Sequence, residues 1–341
     1  MPPVTTPEPA ASVVVPSHRG AHRLPDLMAA LAAQVVDQPW EVVVVLDGLL
    51  DDSEQVLERW RDRLDLVVLA NAQPRGTVAA LTDGYAAARG RVLIRCDDDL
   101  SPGPDMVARH LAHHASREDL GVVGATRDVF PDSPYARAYG RPANERALAA
   151  AYARDPRYRW LSWAAHNSLT RTTWDRSGGF DPQFVYGQDY ELGYRLHRLG
   201  TEIVLDPRLE LDHRGPALDV ATRAPRAFVS GASRRLADHV HPDLVRPQDR
   251  PTGWRARTWT ALVTALSRVV RGRGGYAWLG RRVDALLPHV PPRLGGRLVA
   301  FLVEASGASG ARYGGLDLRR FKNQKAAELD REVGDDRHRS P

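Results

Sequence analysis

Lysine and cysteine are nearly missing from this chain. Its 341 residues hold one cysteine, Cys96, and two lysines, Lys322 and Lys325, so almost all of its positive charge is arginine. A single cysteine excludes an internal disulfide framework. The want of lysine excludes a lysine that grips phosphate anywhere before position 322. No window reaches the roughly 20 consecutive apolar residues that span a bilayer. No stretch joins a charged start, an apolar middle and a small-residue cleavage site in the manner of a secretory leader. The expectation is a cytoplasmic protein, soluble or peripheral at the inner face of the membrane. Repeats and long low-complexity tracts are missing as well.

What is present is material for a large core, since 43% of the residues are hydrophobic against a formal net charge of +5. Residues 1–11, MPPVTTPEPAA, are rich in Pro and Thr without an apolar period and predict a disordered leader. From Ser12 onward short apolar runs recur: SVVVP (12–16), EVVVVLD (41–47), LDLVVLA (64–70), RVLIRC (91–96) and GVVGA (121–125). Helical patterns such as LPDLMAALAAQ and TVAALTDGYAAARG separate them. Continuous β-branched runs alternating with helices predict an α/β fold whose mostly parallel sheet is covered on both faces. Ligands in such folds bind beyond the carboxyl ends of the strands. Those ends carry Ser17, His18 and Arg19, then Asp47, then Arg75, then Asp97, Asp98 and Asp99.

Past a first domain expected over 12–218, the pattern turns helical and basic. Trp259, Leu262, Val263, Leu266, Val269 and Val270 form an apolar stripe with Arg255, Arg257, Arg268 and Arg271 nearby. This predicts a helical appendage over 219–325, packed on its own domain or on a second subunit as a homodimer, or laid on a membrane surface as a peripheral contact. A charged, frayed tail is expected over 326–341.

Three adjacent carboxylates repel one another, so a cation is expected among Asp97, Asp98 and Asp99. A calcium loop needs Gly at its sixth place and Glu at its twelfth. Counted from Asp97, those places hold Pro102 and Ala108. An aspartyl-phosphate phosphatase would use Asp97 as nucleophile, with Asp99 and Ser101 following, but several strands precede this one and no lysine is at hand for the phosphate. Mn2+ or Mg2+ bridging the two phosphates of a nucleotide sugar asks only one or two carboxylates of the protein and fits best. A solvated acidic turn is the bland alternative.

Five segments, in order over roughly residues 12–216, resemble inverting glycosyltransferases of family 2 with a GT-A fold, a Rossmann-like sheet. They are VVVPSHRGAHRL, VVVLDGLLDDS, NAQPRGTVAALTDGYAAARGRVLIRCDDD, SGGFDPQFVYGQDYELGYRLHRLG and LDHRG. The resemblance implies transfer of a sugar from a nucleoside diphosphate, UDP being the commonest carrier, to a hydroxyl acceptor such as a glycan or a lipid-linked molecule. It implies that Ser17, His18 and Arg19 flank the nucleoside, that Asp47 meets the base and that Arg75 lies near the diphosphate. Asp97 and Asp98 would belong to the nucleotide and metal surroundings, with Asp98 solvated, and Asp99, Asp97 and His213 would hold the metal.

By the same resemblance Asp189 is the general base that takes the acceptor proton, at the start of a helix; an N-cap is the alternative for an Asp there. Gln188 stands where the family usually has Glu, and it is expected to tune the base or touch the acceptor. Trp163, His166 and Asn167, with Trp160 before them, are candidates for stacking on or bonding a sugar, against a core role for the tryptophans. A non-catalytic nucleotide or carbohydrate binder on the same scaffold is the competing function. Nucleic acid is not an expected partner, because lysine clusters and reader motifs are both missing.

Overall fold

The computed structural model describes residues 8–247 and 252–321. Its strands are β1 (Ala11–Ser17), β2 (Trp40–Asp47), β3 (Leu66–Asn71), β4 (Val92–Cys96), β5 (Leu100–Ser101), β6 (Leu120–Val123), β7 (Thr126–Asp128), β8 (His166–Thr170), β9 (Glu202–Leu205) and β10 (Leu211–His213). Helices α1 (Leu24–Ala32), α2 (Ser53–Glu58), α3 (Thr77–Ala87), α4 (Met106–His113), α5 (Arg141–Tyr152), α6 (Arg171–Ser177) and α7 (Gln188–Arg198) are interleaved with them. Helices α8 (Val220–Val240), α9 (Gly253–Val269), α10 (Arg273–Leu286) and α11 (Pro292–Tyr313) follow.

The described chain divides into two compact units. The first, residues 8–127, 151–182 and 188–214, holds a seven-stranded sheet in the order β3-β2-β1-β4-β8-β6-β9. Val13, Val15, Val42, Val44, Ile94 and Val122 point one way into a core closed by Leu24, Leu27, Met28 and Leu31 of α1. β1 pairs in parallel with both β2 and β4. The strand order therefore reverses beside β1, the place where α/β sheets open a crevice for ligands. A small second sheet, β5-β10-β7, brings His213 opposite Leu100.

Two expectations change. β1 opens at Ala11, and Ala10 already donates to the Pro39 carbonyl (2.7 Å), so the end of the expected leader is ordered structure. Residues 1–7 and the tail 326–341 lie outside the described residues. The segment of the expected sugar contacts contains β8, an antiparallel strand wholly buried between β4 and β6.

The second unit is helical, as expected, and it draws in residues 128–150 and 183–187 besides 215 onward. Its two long helices α8 and α11 bury Val229, Ala232, Val299 and Ala305. The turn before α5 reaches α11 because Gly296 has no side chain: a Cβ there would lie 2.4 Å from the Ala138 carbonyl oxygen. An amphipathic pattern alone does not say which core a helix joins. Among the described residues no helix is long and apolar enough to cross a membrane.

Candidate active site

The acidic cluster sits just past β4, and each of its three carboxylates has a different surrounding. Asp98 is buried, not solvated as expected. Ser17 Oγ at the end of β1 donates to its Oδ2 (2.6 Å), and Arg23 grips both its oxygens through Nε (3.1 Å) and Nη2 (2.9 Å). Burial raises the Asp98 pKa above the ordinary carboxylate value, while Arg23 and Ser17 pull it down. The packing leaves no room for a side chain at position 20, where a Cβ would fall 2.0 Å from Ser17 Oγ and 2.9 Å from Asp98 Oδ2. Only glycine fits.

The ends of β2 and β3 form a second wall. His18 Nδ1 lies 2.7 Å from the Asp47 carbonyl oxygen, and Arg19 is the one non-glycine residue with positive φ (49°) among the described residues. Strain of that kind gathers at ligand-binding loops. The Asp47 carboxylate accepts from the backbone N–H groups of Arg75 (2.5 Å) and Gly76 (2.8 Å), so it anchors the loop that opens α3. That is a different task from the expected bond to a base. Arg75 also departs from expectation: its guanidinium is half exposed and pairs with Asp83 (2.5 Å). Asn71, opposite Asp47 at the end of β3, escaped the sequence reading. Its Nδ2 is buried without a hydrogen-bond partner, a donor left open at the strand end.

Arg95 also escaped it, and it joins the site together. It lies inside β4, buried to 2% exposure, and donates to Asp97 through Nε (2.8 Å) and Nη2 (3.0 Å). Its Nη1 donates to Asp189 Oδ1, 94 residues further along the chain. Burial disfavours the Arg95 charge, but Asp189 and Asp97 outweigh it and hold the pKa above the ordinary arginine value. Asp189 stands in the first turn of α7, and Gln188 Nε2 donates to its Oδ2 (3.3 Å). Behind it Trp160 packs against Tyr190 and Tyr194 of the same helix, with ring centroids 5.2 Å apart in each case.

A metal must be tested on the donors present. Among the described residues no group of three or more His, Cys, Asp or Glu side chains is arranged to hold an ion. Asp97 falls out of the expected trio because both its oxygens accept from Arg95. Asp99 and His213 remain as a pair, Oδ2 to Nε2 3.4 Å, fixed by the β5–β10 pairing and by the Arg214 N–H bond to the Asp99 carbonyl (2.8 Å). One carboxylate and one imidazole suit Mn2+, whose other positions water and substrate oxygens fill. The donor set fits such an ion.

The expected sugar contacts do not have that role here. His166 and Asn167 are buried in β8 at 0% and 1% exposure, and Trp163 is in the core at 3%. His166 Nε2 bonds His110 Nε2 (2.9 Å), and Asn167 donates to the Ala164 carbonyl. No sugar reaches them without the strand moving.

Residues 12–175 match the profile described as glycosyl transferase family 2. A validoxylamine A glucosyltransferase of Streptomyces hygroscopicus subsp. jinggangensis is 30% identical over 233 residues, covering 60% of this chain and 55% of the relative. An undecaprenyl-phosphate 4-deoxy-4-formamido-L-arabinose transferase of Pseudomonas syringae is 32% identical over 130 residues, 37% of this chain and 38% of that one. The chain thus spans about half or less of these curated relatives. A mannosyltransferase from Pyrobaculum calidifontis, solved with GDP-Man and Mn2+, superposes with TM-score 0.57 at 19% identity, covering 88% of this chain and 86% of that one. At that identity the likeness speaks for the fold alone. Sheet order and profile agree: residues 12–175 belong to glycosyl transferase family 2, and the fold is GT-A.

Proposed function

We propose that the chain moves a glycosyl group from a nucleoside diphosphate sugar to a hydroxyl acceptor, inverting the anomeric carbon. The observation that carries this reading is the Arg95 bridge, which holds Asp189 against the acidic cluster from 94 residues away. In the proposed step Asp189 takes the acceptor's hydroxyl proton while the acceptor oxygen bonds to the anomeric carbon. On the opposite face the bond from that carbon to the diphosphate oxygen breaks, and its electron pair leaves with the nucleotide. The Arg95 guanidinium holds one Asp189 oxygen and the Gln188 amide bonds the other, so the carboxylate is fixed in orientation for that transfer.

Asp99 and His213 are the residues that would hold Mn2+ or Mg2+. Such a cation supplies neutralisation of the charge that develops on the leaving diphosphate. His18, Arg19 and Asn71 would receive the nucleoside at a mouth kept in shape by the bonds of Asp98 to Ser17 and Arg23. The Mn2+ and GDP-Man in the mannosyltransferase of like fold support the metal and donor classes. The curated relatives are named for different substrates, validoxylamine A and undecaprenyl-phosphate, and leave the acceptor class open to lipid-linked and other hydroxyl compounds alike.

The test is a thermal-shift panel of nucleoside diphosphates with and without Mn2+, followed by donor turnover. A cognate diphosphate with Mn2+ should raise the melting temperature, because a ligand that binds only the folded state stabilises it. Asp189→Asn should keep that shift while turnover falls about 10^2- to 10^4-fold. Undiminished turnover in Asp189→Asn removes the assigned base, and a panel without any shift removes the donor class.

A further inference from the structure

Helix α9 is apolar on two opposite sides. Inward it buries Val263 and Ser267, and Trp259 meets Phe301 of α11 edge-on while its Nε1 donates to Glu304 (2.6 Å). Outward, Trp254, Ala261, Leu262, Ala265 and Val269 recur at helical spacing. The large members of this strip are open to solvent, Trp254 at 72%, Leu262 at 53% and Val269 at 78%. An apolar strip running about 22 Å along a helix is more than scattered surface apolarity.

The surroundings of the strip say what covers it. Arg257 and Arg268 border a depression of about 400 Å3 along the helix, floored by Thr260, Ala261, Thr264 and Ala265. The Arg255 guanidinium lies over the Trp254 ring at 5.4 Å. Helix α10 repeats the chemistry, with Trp278 half exposed under Arg282 (5.2 Å) and Leu286 exposed one further turn along. Over residues 252–321 twelve arginines face three carboxylates, Asp284, Glu304 and Asp317. All three are already engaged: Asp284 accepts from the Val220 and Ala221 N–H groups, Glu304 from Trp259, and Asp317 from the Arg319 N–H.

We propose that the outward strip of α9 docks on an anionic phospholipid surface, with the helix lying flat at headgroup level. Its tryptophan and aliphatic side chains would enter the acyl boundary, and Arg257 and Arg268 would meet phosphates. A second copy of the chain is the poorer occupant, because a twofold contact would set arginine-rich faces against each other. The attachment is peripheral, since no described helix can span a bilayer. The inference stands on α9 and its charges and not on the transfer reaction.

Sedimentation of the full chain with vesicles tests it. Binding is expected to vesicles of phosphatidylcholine containing about a third phosphatidylglycerol, not to phosphatidylcholine alone, and to weaken with salt. Each arginine near such a surface strengthens binding roughly fivefold, so Arg257→Glu with Arg268→Glu should weaken it at least about tenfold. Trp254→Ser with Leu262→Ser should do the same. All four positions lie on the surface of the helix, so melting temperatures should hold. Wild-type-like binding by both double variants, or a wild-type chain that stays in the supernatant with both vesicle types, overturns the proposal. A wild-type dimer in solution that Trp254→Ser with Leu262→Ser splits into monomers also overturns it, by showing that a second copy covers the strip. Donor turnover measured in solution on the same variants reads the transferase proposal separately.

Discussion

Strands β4 and β8 bury polar groups on both their faces, and the two faces do it by opposite means. Arg95 stands opposite Asn167 on one face, and Cys96 stands opposite His166 on the other. On the first face a full charge is kept, because Asp97 and Asp189 come to it from two separate places in the chain. On the second, among the described residues no carboxylate bonds the three imidazoles of a neutral chain: His114 Nε2 to Ser168 Oγ (2.8 Å), Ser168 Oγ to His110 Nδ1 (2.7 Å), His110 Nε2 to His166 Nε2 (2.9 Å). Burial lowers the pKa of His166 and His114 to about 4, and that of His110 well below its ordinary value. Arg95 moves the other way. Charge survives burial where opposite charge is delivered, and elsewhere a buried group gives up its proton.

The largest effect should come from breaking the ionic face. Arg95→Met leaves Asp97 and Asp189 without their counter-charge, and removing one partner of a buried pair costs about 3–5 kcal/mol. Denaturant midpoints measure it, and adding Asp97→Asn should recover part of the loss. A midpoint that does not move would mean that Arg95 is replaceable and the two faces are not opposites.

The neutral face should break with acid. Unfolded imidazoles take up protons near pH 6.5, whereas folded His114 and His166 take them up only near pH 4. The unfolded state therefore binds more protons in between, so stability is level above that window and falls as pH drops through it. The loss is on the order of 3 kcal/mol for each of the two. Replacing His114 and His166 together by leucine should make the fall between pH 6.5 and 4 shallower, read as melting temperature against pH. An unchanged slope would shift the acid sensitivity to carboxylates elsewhere.

The same contrast explains what could be read from the residues beforehand. The parallel strands were legible because runs such as VVVV and VLI have no exposed alternative, and the helical appendage was legible from its stripe. β8 was not, because HNSLT looks like a loop until α4 supplies His110 and His114 as partners. Asp189 and His213 entered through family resemblance, since nothing local sets one Asp or His apart. Arg95 did carry a signal: an arginine within RVLIRC must bury its charge, and that requires carboxylates close by. The identity of the distant one, Asp189, depends on tertiary structure that no spacing encodes. Trp163, His166 and Asn167 misled because aromatic and amide side chains describe a sugar pocket and a hydrogen-bonded core equally well.

Arg75 should give the smallest effect and marks the outer limit of the comparison. Its pair with Asp83 is exposed, 54% on the arginine side, and exposed pairs contribute about 0–1 kcal/mol. Its backbone N–H, not its guanidinium, bonds Asp47, so Arg75→Ala keeps the loop anchor. The variant should melt within a few degrees of wild type and keep its apparent affinity for the nucleoside diphosphate in the thermal-shift panel. If that affinity instead drops tenfold with the melting temperature unmoved, the guanidinium leaves Asp83 when ligand arrives. Arg75 would then join Arg95 among the arginines that serve the site, and charge at the strand ends would extend to a surface pair as well as the buried bridge.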